Sequence, residues 1–164
     1  MKPRKAIEGN NMNTIDISYA QDRYRKTAPK KFVLEYLNRV LAELSLDNVE
    51  FSVSFIDEPE MHRMNREFRD IDDSTDILSF AAEDEEEGFT FISAGRRKRV
   101  LGDVLICPEV MARNAAAFNV PEEEELRRLL IHGVLHLSGE NHNTNDPTEP
   151  MLVHQERILS KLAL

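Results

Sequence analysis

The 164-residue sequence contains one cysteine and no tryptophan, and it has no long hydrophobic run. A single cysteine, Cys107, excludes an internal disulfide, which fits a reducing compartment and predicts a cytoplasmic location. No apolar segment approaches the roughly 20 residues that a membrane-spanning helix needs. The basic start from Met1 to Lys5 is not followed by an apolar segment, so we expect neither a secretory signal nor a membrane partner.

Hydrophobic residues make up 41% and charged residues 31% of the chain, a balance typical of one soluble globular domain. The net charge of −9 counts against nucleic-acid binding, but the charge is unevenly distributed. Residues 1–31 have a net charge of +5, and the segment from Arg96 to Arg99 is basic as well. Because phosphate binding depends on the local field, the overall acidity does not exclude RNA. Solvated surface is the alternative interpretation of each basic cluster.

The spacing of apolar residues predicts one α+β domain over residues 13–164, preceded by a flexible lead over residues 1–12. Alternating or continuous apolar residues predict strands at 13–18, 49–56, 76–80 and 100–107. Apolar residues at three- and four-residue steps, together with capping residues, predict helices at 29–45, 57–68, 108–119, 121–138 and 148–162. Residues 89–99 are expected to form a loop or a β-ribbon. We therefore expect a small mixed four-stranded sheet covered by about five helices.

Three of the five histidines, His132, His136 and His142, lie close together in the sequence. His132 and His136 are four residues apart on a predicted helix, so both imidazoles project from the same side. Gly139 suits the left-handed conformation that ends a helix, and the turn can bring His142 back towards them. Three imidazoles suit zinc, with nickel, cobalt, copper and iron as alternatives, and leave one coordination position open, as in catalytic sites. We predict one such ion per chain.

The alternative role for each histidine is an ordinary hydrogen-bonded core or surface residue. The predicted helix is apolar nearly all round from Leu129 onward, so two ordinary histidines there would need buried partners, which favours metal binding. His62 and His154 lie on amphipathic helices without partners at ligand spacing, and we predict that neither is a ligand.

The spacing HxxxHxxGxxH is that of the metzincin peptidases, in which a glutamate base follows the first histidine. Gly133 occupies that position here, which counts against peptide hydrolysis. A glycine inside a helix costs roughly 1 kcal/mol relative to alanine, so its presence needs a reason. Space for a bulky substrate and close packing of the helix on a strand are equally open explanations.

The segment from His132 to His142 resembles the HGxLHLxGyDH signature of the YbeY endoribonucleases, metal-dependent bacterial enzymes of ribosomal RNA maturation. Three further parts of the sequence are similar to that family in the same order: Met64 to Arg69 followed by Thr75 to Phe80, then Leu101 to Ile106, and then Met151 to Leu159. The resemblance covers roughly residues 13–162, and the histidine segment is its most specific part.

The resemblance implies a zinc-dependent, single-strand-specific endoribonuclease that acts near the 3′ end of small-subunit ribosomal RNA and in ribosome quality control. It also implies ribosomal RNA and the small ribosomal subunit, or ribosome-associated proteins, as partners. Arg69 matches the family's active-site arginine, which would clamp the scissile phosphate. We predict Arg69 and His132 as catalytic residues; the alternative for Arg69 is an exposed arginine at a helix end. The nucleophile is either water activated by the ion or the RNA's own 2′-OH.

The sequence departs from the family pattern at three positions. Glu140 and Asn141 replace an aromatic residue and an aspartate, and Ser74 replaces a proline. If the aspartate orients a ligand, Asn141 can still form a hydrogen bond but has no charge, which would lower metal affinity.

The sequence is also compatible with two rival functions, and it allows two roles for the aromatic residues Phe68 and Phe80. The first rival is a metallopeptidase or another zinc hydrolase. The second is a ribosome-binding module with a structural ion, for which Glu140 or Asp146 would supply a fourth ligand. Phe68 and Phe80 could stack on RNA bases, but core packing is the favoured interpretation.

Overall fold

The computed structural model describes residues 12–82, 90–93 and 96–163. In this part of the chain the strands are β1 (Thr14–Tyr19), β2 (Val49–Phe55), β3 (Ile77–Ala81), β4 (Thr90–Ser93) and β5 (Arg96–Ile106). The helices are α1 (Tyr24–Thr27), α2 (Lys30–Glu43), α3 (Glu58–Arg69), α4 (Pro108–Phe118), α5 (Glu122–Leu137) and α6 (Pro150–Lys161). Apart from Met12, the predicted flexible lead lies outside the described residues. All the described helices are too short or too polar to span a bilayer.

The sheet is mixed, as the sequence predicts. Four strands lie side by side in the order β1, β2, β5, β3, with β1, β2 and β5 parallel and β3 antiparallel to β5. The remaining strand, β4, pairs antiparallel with the first residues of β5, from Arg96 to Arg99. The strand predicted at 100–107 therefore begins earlier, at Arg96, and of the two alternatives for residues 89–99 the structure shows the β-ribbon, since β4 pairs with the start of β5.

The five predicted helices are all present, and α1 adds a single turn between the first predicted strand and the first predicted helix. The helix α3 begins where the capping residues indicate, since Asp57 accepts a hydrogen bond from the backbone nitrogen of Glu60 at 3.0 Å. The helix ends at Arg69, and the next residue, Asp70, caps it with a left-handed backbone that has a φ of 62°. The observed strands and helices confirm the α+β class.

The helix α5 lies at the centre of the fold. It packs against β3, β5, α2, α4 and α6, which explains why its sequence is apolar nearly all round. Leu130, Ile131 and Leu135 on this helix are at most 1% exposed. Each fully buried side chain of this kind contributes about 1.5–3 kcal/mol through burial. The two histidines on α5 therefore lie on a helix that is anchored by a largely buried surface.

Candidate metal centre and cleft

The end of α5 and the turn after it bring His132, His136 and His142 together. One ring nitrogen of each lies within 4.8 Å of the other two. The ring centroids are 4.7 Å apart for His132 and His136, and 5.3 Å apart for either of them and His142. Nitrogens bound to one zinc ion lie within about 4 Å of one another, so small side-chain adjustments would close this group on an ion. The donor set and its spacing fit a transition metal.

The turn that returns His142 depends on Gly139. This glycine has a φ of 106°, which side-chain-bearing residues rarely adopt. Its backbone nitrogen donates to the carbonyl of His136 at 3.0 Å, and the nitrogen of Glu140 donates to the carbonyl of Leu135 at 3.0 Å. These two bonds form the glycine-ended helix stop known as the Schellman motif. The predicted role of Gly139 is confirmed.

Hydrogen bonds to carbonyl oxygens hold two of the three rings. Nδ1 of His132 donates to the side-chain oxygen of Gln155 at 2.7 Å, and Nδ1 of His142 donates to the backbone oxygen of Thr144 at 2.8 Å. Because a carbonyl oxygen only accepts, the proton of each neutral ring is on Nδ1, and Nε2 has a free lone pair. The structure thus leaves the Nε2 atoms of both rings available as ligands.

The electrostatic environment keeps two of the imidazoles neutral at pH 7. Burial lowers the pKa of His132. Burial, reinforced by the nearby His132 and His142, lowers the pKa of His136 to about 4, although hydrogen bonds from its ring to the side chain of Asn141 and the backbone of Glu140 act in the opposite direction. Neutral imidazole is the form that binds a metal ion. Asn141, at the position where the family has aspartate, thus does contact a ring of the group.

The two carboxylates considered as a fourth ligand have other partners. Glu140 accepts a hydrogen bond from Nδ1 of His154 at 2.9 Å. Asp146 accepts from the backbone nitrogen of Thr148 at 2.9 Å. Within the described ranges, the group of metal-compatible side chains consists of the three histidines alone, and His62 and His154 are outside it. This geometry matches a site with an open coordination position.

Gly133 lies where α5 presses against the sheet. A Cβ atom on this residue would lie 3.0 Å from both methyl carbons of Val104 and 3.5 Å from Cδ1 of Ile77. These contacts support close packing of helix on strand as the reason for the glycine. They also show that a side chain at this position, such as the glutamate of the peptidase motif, would require the Val104 side chain to shift by a few tenths of an ångström.

A cleft of about 750 Å³ lies over the three histidines, and Arg69 also lines it. The Arg69 guanidinium donates to the backbone oxygens of Ser79 at 2.7 Å and Phe68 at 3.2 Å, and its central carbon lies 4.7 Å from the centroid of the Phe80 ring. Among the described residues, no carboxylate forms an ion pair with Arg69. Since arginine has five N–H donors, about three remain for a ligand. Arg69 thus brings an uncompensated positive charge to the cleft that contains the histidines.

The second arginine in the cleft, Arg128, is neutralised by its surroundings. Its guanidinium forms ion pairs with Glu124, Glu125 and Glu156, each at 2.8 Å. Three carboxylates around one cation leave no net positive charge for an anionic ligand. Arg69 is therefore the better candidate for binding phosphate.

The core-packing interpretation is wrong for Phe68. Its side chain is 54% exposed, because it lies in the last turn of α3, and its ring meets Phe80 edge-on at a centroid distance of 5.6 Å. Phe80 is partly buried and packs against a small apolar cluster that includes Met61 and Leu78, so core packing describes it better.

The cleft also contains residues that the sequence did not single out as functional. Five of them are polar or aromatic residues that bear on the chemistry of the cleft: Asp76, Asn114, Phe118, Arg128 and Gln155. Asp76 lies in a segment that resembles the family, which is the one sequence signal that could have indicated it. The other four come from α4, α5 and α6, and only the packing of these helices shows that they share a cleft.

The fold and the site define an α+β protein with an open three-histidine cleft. A family model described as Endoribonuclease YbeY matches residues 14–163. A protein named Endoribonuclease YbeY from Treponema denticola is 37% identical over 147 residues, which cover 90% of this chain and 92% of that protein. Another of that name from Geobacillus kaustophilus is 37% identical over 156 residues, which cover 92% and 98%.

A solution structure of TM1509 from Thermotoga maritima has the same fold. Its sequence is 25% identical, and the match has a TM-score of 0.58 and covers 90% of this chain and 88% of that one. Together with the family match over nearly the whole sequence, these relatives show that the chain belongs to the YbeY family. The resemblance found in the sequence is confirmed.

Proposed function

We propose that this protein is a metal-dependent, single-strand-specific endoribonuclease that processes the 3′ end of small-subunit ribosomal RNA and acts in ribosome quality control. The observation that carries the proposal is that three imidazoles line one cleft together with an arginine that has no carboxylate partner among the described residues. Relatives named as endoribonucleases support RNA as the substrate. The same proposal places the protein in the cytoplasm, with the small ribosomal subunit or ribosome-associated proteins as partners.

The ion that we propose is zinc, one per chain, held by His132, His136 and His142. A donor set of nitrogen atoms alone also suits nickel, cobalt, copper or iron. Three protein ligands leave one position open for a substrate or solvent molecule. When bound, such an ion supplies Lewis acidity towards a phosphate oxygen and lowers the pKa of water.

In this proposal Arg69 binds the scissile phosphate. The carbonyls of Ser79 and Phe68 hold two of its N–H groups, so the guanidinium is oriented before the substrate arrives. Its remaining donors can contact the non-bridging oxygens, where negative charge grows in the transition state. His132 contributes to catalysis by holding the ion from a ring that Gln155 orients. Water and the RNA 2′-OH both remain as nucleophiles, and the products distinguish them: a 2′,3′-cyclic phosphate end indicates attack by the 2′-OH.

The structure weighs against both rival functions. A metallopeptidase of the metzincin type needs a glutamate where Gly133 packs against Val104. A purely structural ion would need a fourth protein ligand, but Glu140 pairs with His154 and Asp146 bonds to Thr148.

The test combines metal analysis with cleavage assays on the purified protein, using His136→Ala as the ligand variant. We expect one transition-metal ion per wild-type chain, cleavage of single-stranded RNA, and much slower cleavage of double-stranded RNA. The variant should lose both the ion and the cleavage. Cleavage of an unstructured peptide, with RNA left intact, would favour the metallopeptidase. A full complement of metal without any cleavage would favour the structural ion.

A further inference from the structure

The cleft extends well beyond the three histidines. One wall follows β3, from Asp76 just before the strand to Ser79 and Ala81 within it. Asn114 and Phe118 of α4 also line the cleft, and Asn114 contacts Asp76. A volume of about 750 Å³ falls within the range of roughly 300–1,000 Å³ for sites that bind small organic molecules. An ion and one phosphate group would occupy only part of that space.

The two ends of this wall differ in charge. Arg69 contacts Ser79, which is three residues from Asp76 along the chain, or about 10 Å at the rise of a β-strand. At the Arg69 end, none of the carboxylates in the described residues forms an ion pair with the guanidinium, so its positive charge is available to a ligand. The other end has the carboxylate of Asp76, and the second arginine of the described cleft lining, Arg128, is neutralised by three glutamates. A phosphate is therefore attracted to the Arg69 end and repelled from the Asp76 end.

The Asp76 end is suited to a neutral group with N–H donors. Nδ2 of Asn114 donates to Oδ2 of Asp76 at 3.0 Å, which fixes the orientation of the amide. A carboxylate only accepts hydrogen bonds, and the Asn114 side chain keeps one N–H and its carbonyl oxygen. The pair thus has more acceptors than donors to offer. The exocyclic amino groups of adenine, cytosine and guanine match it, and uracil has no such group.

Phe118 completes this part of the cleft. It follows Asn114 by four residues on α4, so the two side chains lie on the same helix face, one turn apart. Its side chain is 64% exposed although it lines the cleft. Proteins that bind single-stranded nucleic acid commonly stack a base on an exposed aromatic ring while neighbouring polar groups form hydrogen bonds to the edge of that base.

We propose that Asp76, Asn114 and Phe118 form a nucleobase subsite for single-stranded RNA, in which Phe118 stacks on the base and the Asp76–Asn114 pair accepts from its exocyclic amino group. This subsite rests on the proposed function and deepens it: the phosphate to be cut lies by the histidines and Arg69, and a neighbouring base occupies the other end. The enzyme then prefers adenine, cytosine or guanine over uracil at one position beside the cut.

Two measurements on the full chain test the subsite. The first is binding of fluorescently labelled single-stranded RNA in the presence of a metal chelator, so that cleavage does not interfere. The second is steady-state cleavage of oligonucleotides that differ only in the base next to the cut. We expect Phe118→Leu to weaken binding and raise KM about tenfold with little change in kcat, while Phe118→Tyr restores both. Asn114→Ala should reduce the preference for amino-bearing bases over uracil towards unity.

The matched control is Val153→Ala, which changes an apolar side chain that is 46% exposed and lies outside the cleft lining; its binding and KM should equal those of the wild type. Unchanged binding and KM in Phe118→Leu, with the wild type cutting RNA normally, would overturn the subsite and leave the proposed function standing. RNA bound through Phe118 but never cut, in a protein with its full metal content, would overturn the endonuclease proposal and support the subsite.

Discussion

The side-chain oxygen of Gln155 accepts a hydrogen bond from Nδ1 of His132 at 2.7 Å. Nε2 of the same amide donates to Glu156 at 3.0 Å, and Glu156 in turn accepts from Nε of Arg128 at 2.8 Å. If the oxygen and nitrogen of the Gln155 amide exchanged places, the amide oxygen would face the Glu156 carboxylate. Because an ionised carboxylate cannot donate, the hydrogen bond between them would be lost. The chain of contacts therefore sets the proton of His132 on Nδ1 and directs its Nε2 to the other two histidines.

The first prediction concerns Gln155→Leu, which removes the acceptor but nearly preserves the side-chain volume. We expect zinc affinity to fall about 10- to 100-fold, because the ring of His132 is no longer oriented. Chelator competition measures the affinity, and Gln155→Glu, which keeps an acceptor, serves as the matched control. An unchanged zinc affinity in Gln155→Leu would show that His132 needs no such support.

The second prediction concerns Arg69→Ala. Loss of a charged donor aimed at the phosphate should lower kcat about 10²- to 10³-fold. Metal content should not change, because Arg69 contacts none of the three histidines through a hydrogen bond in the described structure. Arg66→Ala is the control, since Arg66 is on the same helix, is outside the cleft lining and lies 3.7 Å from Asp72. A parallel loss of metal and turnover would mean that Arg69 supports the fold of the site instead.

The third prediction concerns the packing of Gly133. Glycine to alanine inside a helix normally stabilises a protein by about 1 kcal/mol. Here the new methyl group would lie 3.0 Å from both methyl carbons of Val104, so we expect Gly133→Ala to lower the free energy of unfolding by about 1–3 kcal/mol. Urea denaturation checks the sign.

The double variant Gly133→Ala with Val104→Ala provides the control for this packing. Removing the Val104 methyl groups makes room for the new one, so the two changes together should cost less than the sum of their separate effects. Additive effects, or a more stable Gly133→Ala, would contradict close packing as the reason for the glycine.

The fourth prediction concerns the pH dependence of stability. Hydrogen bonds from Arg113 and Ser74 lower the pKa of Glu58 from 4.5 to about 2. Because the unfolded chain binds the proton more readily, the stability that Glu58 provides is complete above about pH 4.5 and is lost as the pH falls towards 2. The difference in unfolding free energy between wild type and Glu58→Gln should therefore be constant near neutral pH and shrink below pH 4.5.

Urea denaturation in a chelating buffer isolates this effect from metal binding. Ser74→Ala is an intermediate case, because it removes one donor to Glu58, at 2.8 Å, and leaves the ion pair with Arg113 at 2.6 Å. A difference between wild type and Glu58→Gln that does not vary with pH would show that the carboxylate gains nothing from its partners.

The sequence by itself determined the features that depend on local geometry. His132 and His136 share a helix face because they are four residues apart. Gly139 ends that helix because glycine is the residue type that adopts a φ of 106° without strain. The α+β class followed from periodicities that extend over whole elements. The family followed from the histidine segment, whose residue types are specific.

Only the tertiary structure decided the features that join distant segments. The partner of His132 is 23 residues further along the chain, Gly133 is explained by Val104 on another element, and β5 is longer than predicted because β4 pairs with it. The sequence left two reasons for Gly133 open and gave the wrong environment for Phe68. In each case the physical reason is the same: the contact depends on how elements pack, and local sequence does not encode the distance between them.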